Sequence, residues 1–377
     1  MKALVYHGPL DVRIDDKPKP EIQDPEDVIL KITRTAICGS DLHLFHGNVK
    51  GMEPGQTLGH EFMGVIEKTG DRVTEVREGD RVVIPFNISC GKCWFCRHGA
   101  WSQCDDSNPK GELGAVYGYT QMLGGYDGGQ AEYVRVPYGN VEPLKVPDEL
   151  TDEQVLFLSD ILPTGYFGAD MANVQPGDDV AVFGAGPVGY FAALAALLRG
   201  AARVFSIDHW TARLDRVARL GAEPINFDRE DPVERIKKET KGRGAVCIDA
   251  VGYEAIGHHI HEKSTNPVYV PQDSLQVLNW IVDSARKFST VSIPGVYTTD
   301  FNNFPFGNFF NRELQIRMGQ CPVKKYNEDL LHLIETGRID PTQLISHRMK
   351  LEEAPKGYDM FDKKGEDGEV HKVVLTP

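Results

Sequence analysis

Gly184-Ala185-Gly186-Pro187-Val188-Gly189 is the stretch that most narrows what this chain can fold into. It follows a strand-like apolar run, Asp179-Val180-Ala181-Val182-Phe183, and opens an Ala/Leu-rich helix over residues 190–199. A second β-rich run, Arg203-Val204-Phe205-Ser206-Ile207, ends at Asp208, nineteen residues past Gly189. Taken alone a GxGxxG is weak. Between strand and helix, with an acid at that distance, it reads as the turn of a βαβ dinucleotide-binding unit. The glycines permit a tight turn and close approach of backbone to a pyrophosphate at a helix N-terminus. The candidate cofactor residues are Gly184, Gly186, Pro187, Val188 and Gly189, with Asp208 for the adenosine ribose hydroxyls and Arg213 in the following helix. Asp208 repels a 2′-phosphate, which favours NAD over NADP. A glycine-rich turn that binds nothing is the alternative.

Alternating runs follow: helix 211–220, strand 224–227, helix 232–241, strand 245–250, helix 275–287 and strand 289–293. That order predicts a parallel α/β sheet. Residues 253–276 are polar, irregular and longer than a βα connection needs. They carry His258, His259 and His261, and a solvated loop is a better reading there than a second metal. The first 150 residues read instead as short strands, such as 28–32 and 81–84, broken by Pro and Gly. Residues 152–171 have helical spacing, and a helix is expected over 327–336. A length of 377 exceeds what one core usually organises. Two domains are therefore expected: a β domain from 1–158 and 320–377, and a nucleotide-binding domain over 159–319.

The four-cysteine run Cys90-x2-Cys93-x2-Cys96-x7-Cys104 is the most specific chemical signal. Four thiolates on one short lobe can close a tetrahedron around zinc with no open position. Two disulfides or an iron–sulfur cluster are the alternatives. The N-terminus lacks the apolar core and cleavage site of an export signal, so metal is the better reading and the cytoplasm the expected address. A zinc ribbon for nucleic acid uses similar spacing, but 41 Lys+Arg against 55 Asp+Glu leaves a net charge of −14. Such a surface repels phosphate backbones and anionic lipid. The uncharged run 180–198 is long enough to span a membrane, but its glycines and Pro187 point to a buried strand, turn and helix instead.

Ile37-Cys38-Gly39-Ser40-Asp41-Leu42-His43 places a soft ligand, a hydroxyl and an imidazole within six residues. Cys38 can hold zinc, Ser40 can touch a substrate on that metal, and His43 can pass a proton to water. His60 and Glu61 follow Gly59, whose small size lets imidazole and carboxylate face one cavity. Asp160 sits among Phe157, Leu158, Ile161 and Leu162, where an unpaired carboxylate is costly unless it meets a cation or donors. At this level a shared metal and a set of satisfied core residues both fit Cys38 and His60.

Together these motifs resemble the zinc-dependent medium-chain alcohol dehydrogenases, over essentially the whole chain. The resemblance implies a GroES-like β domain interrupted by a Rossmann domain, with zinc and nicotinamide meeting in the cleft between them. It assigns Cys38, His60 and Asp160 to a catalytic zinc and Cys90, Cys93, Cys96 and Cys104 to a structural one. Asp160 stands where many members have cysteine. With Leu158-Ser159-Asp160-Ile161-Leu162-Pro163-Thr164-Gly165-Tyr166 it looks like the glutathione-independent formaldehyde dehydrogenase branch. The implied reaction is reversible hydride transfer to NAD from a primary or secondary alcohol or an aldehyde hydrate. Ser40 would take the alcohol proton and hand it, through the nicotinamide ribose, to His43 at the surface. Glu61 would support the metal or swap in as a transient ligand, and Phe86 would line the pocket. Two zinc ions per chain and a homo-oligomer, dimer or tetramer, are implied as well. Polyol, sugar and threonine dehydrogenases share every motif. A non-catalytic protein binding NAD and one zinc is the reading from a different class.

Overall fold

The computed structural model describes residues 1–111, 113–252, 274–297 and 304–377. Most of the long polar stretch, with its three histidines, lies outside these residues. The chain divides into two compact units: residues 1–163 with 321–365 and 370–377, and residues 164–320 with 366–369.

The first unit is built on a seven-stranded sheet. Its central strand, Val28–Ile37, is buried at both ends, with Lys31 exposed between, and pairs antiparallel with Glu61–Thr69, Tyr133–Val136 and Val373–Thr376. Two further strands, Arg81–Ile84 and Leu144–Lys145, extend one side, and His347–Lys350 closes the other. Lys2–Gly8 and Asp11–Asp16 form a separate hairpin. The core under the sheet packs Val28, Leu30, Phe62, Ile66, Val82 and Tyr117.

The expected 152–171 helix is interrupted. A helical turn Asp152–Val155 runs into a 3₁₀ turn Leu156–Ser159, and helix Ile161–Met171 begins only after Asp160. Asp160 itself has φ −154° and ψ −81°, outside the helical region. The break turns one residue of an apolar segment away from the helix path, and that residue is the carboxylate.

The second unit is a six-stranded sheet, every pair parallel, in the order Glu223–Asn226, Arg203–Asp208, Asp179–Phe183, Val246–Asp249, Thr290–Ile293, Gln315–Met318. This is a doubly wound Rossmann sheet whose chain order reverses beside the first strand, where such folds bind nucleotides. The helix after the glycine turn is Pro187–Leu198, starting earlier than its composition suggests because proline's fixed φ suits a first helical position. Helix Phe306–Asn311 and edge strand Gln315–Met318 were not signalled by the sequence. The uncharged run 180–198 is divided among strand, turn and helix, and no helix of the described residues is long and apolar enough to cross a membrane.

Candidate catalytic metal centre and nucleotide turn

Strand pairing explains how residues far apart in sequence converge. Ala36 faces Glu61 across an antiparallel ladder, so Cys38, just past one strand, and His60, just before the other, emerge at the same edge. Val373 faces Ile37 on the opposite side, which brings Lys372 to that edge too. Asp160 arrives from the helix break, whose Ser159 carbonyl accepts the Phe86 N–H at 2.8 Å.

One ligand atom each from Cys38, His60, Glu61 and Asp160 lie within 4.8 Å of one another, and all four residues are buried. Asp160 Oδ2 stands 3.6 Å from Cys38 Sγ and 3.3 Å from His60 Nε2. The donor set fits zinc: a thiolate, an imidazole nitrogen and a carboxylate oxygen aimed at one point. Glu61 Oε1 meets Lys372 Nζ at 2.6 Å with both side chains fully buried, while Glu61 Oε2 is buried with no hydrogen-bond partner. Three groups able to carry negative charge thus face one ammonium, an excess that a divalent cation cancels.

Protonation points the same way. Burial, then the Glu61 charge, pushes the Cys38 thiol up to about 11, so a metal must displace its proton. Burial opposes a charged imidazole at His60, yet the negative charges of Asp41 and Cys38 outweigh it and raise the ring well above its usual range. Burial likewise disfavours the Lys372 ammonium, and Glu61 with Cys38 and Asp160 more than restores it. The pocket favours positive charge.

The remaining predicted residues fall around this centre. Ser40 Oγ is 3.9 Å from Cys38 Sγ, at the start of helix Gly39–Phe45. His43 lies one turn along that helix but is only 7% exposed, inside the protein rather than at its surface. Phe86 and Tyr119 present T-shaped contacts to the His60 ring at 6.1 and 6.3 Å.

Two further side chains at this centre were not singled out from the sequence. Asp41 Oδ1 stands 3.2 Å from His60 Nδ1, a close but bent approach, and Asp41 Oδ2 accepts the Cys38 N–H at 2.9 Å. A carboxylate behind a ligating histidine fixes ring orientation and tautomer. Its position three residues after Cys38, inside the stretch already singled out, was the available signal. Lys372 had none, because only the 373–37 strand pairing brings it here.

The four cysteines of the lobe also converge within 4.8 Å, and none of the seven cysteines forms a disulfide. Cys90 Sγ accepts the N–H groups of Lys92 and Cys93 at 3.4 and 3.2 Å, and Cys104 Sγ accepts that of Cys90 at 3.3 Å. Sulfurs that accept backbone N–H groups suit thiolates closing on a metal.

In the second unit, Gly184 has φ +93°, and a Cβ on Gly189 would lie 1.9 Å from the Gly184 carbonyl oxygen, so neither position admits a side chain. At Gly186 a Cβ would meet only the Arg213 guanidinium, at 3.6 Å. Arg213 Nε is buried without a partner, a donor suited to an anionic group beside the turn. Asp208 is more constrained than its sequence suggests. Its oxygens accept N–H groups from Ala185, His209 and Trp210 at 2.8, 2.7 and 3.1 Å, and Arg213 stands 3.7 Å away. Most of its acceptor capacity is already used, leaving room for about one ribose hydroxyl without rearrangement.

Comparison with known proteins agrees with this construction. The Alcohol dehydrogenase GroES-like domain family matches residues 24–148. An uncharacterized zinc-type alcohol dehydrogenase-like protein of Bacillus subtilis is 43% identical, covering all of both chains. A glutathione-independent formaldehyde dehydrogenase of Pseudomonas aeruginosa is 37% identical over all of this chain and 97% of its own. Among solved structures, alcohol dehydrogenase TADH from Thermus sp. ATN1 superposes with a TM-score of 0.87 at 37% identity, covering 100% of this chain and 99% of that one. Such a fold, with residues that could hold zinc, is that of a zinc-type oxidoreductase. The chain belongs to the zinc-type alcohol dehydrogenase family.

Proposed function

We propose that this protein reversibly oxidises a small primary or secondary alcohol, or the hydrate of a small aldehyde such as formaldehyde, with NAD as acceptor. The observation that carries this is the convergence of Cys38, His60 and Asp160 around one buried point, with Ser40 beside it. Cys38, His60 and Asp160 would hold a zinc ion, which would supply Lewis-acid polarisation of a substrate oxygen near neutral pH, and NAD would supply the hydride acceptor. Ser40 Oγ takes the substrate hydroxyl proton and hands it, through the nicotinamide ribose, to His43, which is buried one turn along the same helix. Phe86 and Tyr119 wall the His60 side with aromatic edges, excluding water and suiting a compact substrate. Lys372 holds Glu61 by one oxygen and leaves the other available to the metal. Arg213 and the helix beginning at Pro187 receive the pyrophosphate, and Asp208 the adenosine ribose. Identity with a named formaldehyde dehydrogenase at 37% supports an aldehyde hydrate among the substrates.

A homo-oligomer and a cytoplasmic address belong to the same reading. The first is supported by the terminal strand Gln315–Met318 beside the exposed Phe306 and Phe310, the second by seven cysteines with no disulfide among them. The deciding experiment pairs metal analysis with a screen of NAD reduction over short alcohols, polyols and hydrated formaldehyde. Two zinc ions per chain are expected, and Asp160→Ala should retain one while losing turnover. One zinc in the wild type, or an active Asp160→Ala, overturns the proposal; turnover of polyols alone replaces its substrate.

A further inference from the structure

Behind the metal ligand His60 runs a chain of side chains that no step above uses. Tyr358 Oη donates to Gln130 Oε1 at 2.8 Å. Gln130 Nε2 donates to Asp41 Oδ2 at 3.2 Å and to the Ala36 carbonyl oxygen at 3.1 Å. Asp41 Oδ1 stands 3.2 Å from His60 Nδ1, and His60 Nε2 faces the ligand cluster. Tyr358, Gln130 and Asp41 are wholly buried.

The polarity of this chain is forced. The Ala36 carbonyl and the Asp41 carboxylate only accept, so the Gln130 amide must turn its NH₂ group toward both. Its oxygen then has one partner, Tyr358, which must donate. Asp41 is left as a pure acceptor; its Oδ1 lies 3.2 Å from His60 Nδ1, not aligned as a hydrogen bond, and its charge favours the proton on Nδ1, leaving Nε2 as the metal-binding lone pair. The backbone around His60 is shaped to admit the glutamine. Gly59, at φ +94°, would drive a Cβ to 2.4 Å from Gln130 Cγ, and the Gln130 N–H bonds the Leu58 carbonyl at 3.0 Å.

We propose that Gln130 and Tyr358 are positioning residues for the catalytic metal, fixing the tautomer and aim of His60 through Asp41. This rests on the zinc reading of the Cys38, His60 and Asp160 site. Tyr358 belongs to helix Ala354–Lys363, so the chain ties that helix to the metal centre.

The test is metal affinity rather than turnover. Zinc binding at the weaker of the two sites is measured by competition with a chromophoric chelator. Cobalt(II) placed there gives a ligand-field spectrum that reports coordination geometry. Gln130→Leu should weaken binding roughly 10–100-fold and shift the cobalt bands. Tyr358→Phe, which deletes one hydroxyl, should weaken it roughly fivefold. The cysteine lobe should keep its zinc in both. Melting temperatures with and without zinc separate a packing role, which lowers both equally, from a positioning role, which shrinks the zinc-dependent rise. If Gln130→Leu does not fold, Tyr358→Phe decides alone. Wild-type protein with two zinc ions, and variants matching it in affinity, spectrum and zinc-dependent rise, overturns this inference only. Wild-type protein with one zinc overturns the zinc reading and this inference with it.

Discussion

Lys372 and Glu61 illustrate how a single buried charge pair can be both costly and indispensable. Removing two charges from water is expensive, and the return depends on both partners being present. Lys372→Met strands the Glu61 carboxylate beside Cys38 and Asp160, and it should cost about 3–5 kcal/mol in urea unfolding. Adding Glu61→Gln should recover much of that loss; a single-variant cost below about 1 kcal/mol contradicts the pair's role. Glu142 is another buried carboxyl, pushed up to about 8 by burial, with the Ser89 hydrogen bonds and Lys324 pulling the other way. Between its ordinary value of 4.5 and about 8 the folded form holds a proton that the unfolded chain has released. Stability from this group is therefore complete below pH 4.5 and falls as pH rises to about 8. Glu142→Gln should flatten that slope and exceed the wild type above pH 8 by roughly a few kcal/mol, read from melting curves across pH 5–9. Parallel curves for the two proteins would count against it.

Among elements, the edge strand Gln315–Met318 stands out because nothing described covers its outer side. Phe306 and Phe310 in the adjoining helix are 70% and 78% exposed, and Met318 in the strand is 64% exposed. Unpaired sheet edges template pairing with another chain, and here Arg317 is the one charge on the strand. Phe310→Asp with Met318→Asp should convert the proposed oligomer to monomer in analytical ultracentrifugation, and an unchanged sedimentation coefficient would exclude this edge as the interface. The glycine turn carries a separate prediction. Asp208→Ser removes the charge that repels a 2′-phosphate while Arg213 remains, so the NAD-over-NADP ratio of kcat/KM should fall at least about tenfold, roughly 1.4 kcal/mol. These two elements also show what a sequence discloses. Gly184 to Gly189 was legible because its chemistry is local: the turn, the helix start and Asp208 lie within one βαβ unit. The edge strand was not, because residues 315–318 alternate apolar and polar like any short surface segment, and only its neighbour in the sheet makes it a strand.

Across the whole molecule the two proposed metal centres differ in how far the chain must travel to build them. Cys90 to Cys104 span fifteen residues, and their spacing alone discloses a ligand set. The other centre draws on residues 38, 60, 160 and 372, and the supporting Gln130 and Tyr358 are as widely separated. Long-range strand registry, Ala36 with Glu61 and Val373 with Ile37, creates that proximity, and no local pattern encodes it. Resemblance to a family named Cys38, His60 and Asp160; it did not supply Asp41, Lys372 or the chain behind them.

That difference in reach has a temporal consequence. Closing a fifteen-residue loop takes little time, whereas a site needing the Val373–Thr376 strand beside Val28–Ile37 must await one of the most distant pairings in the protein. During refolding with zinc present, the cysteine lobe should charge early and the Cys38 centre last, making uptake of the second ion a clock for completion of the native sheet.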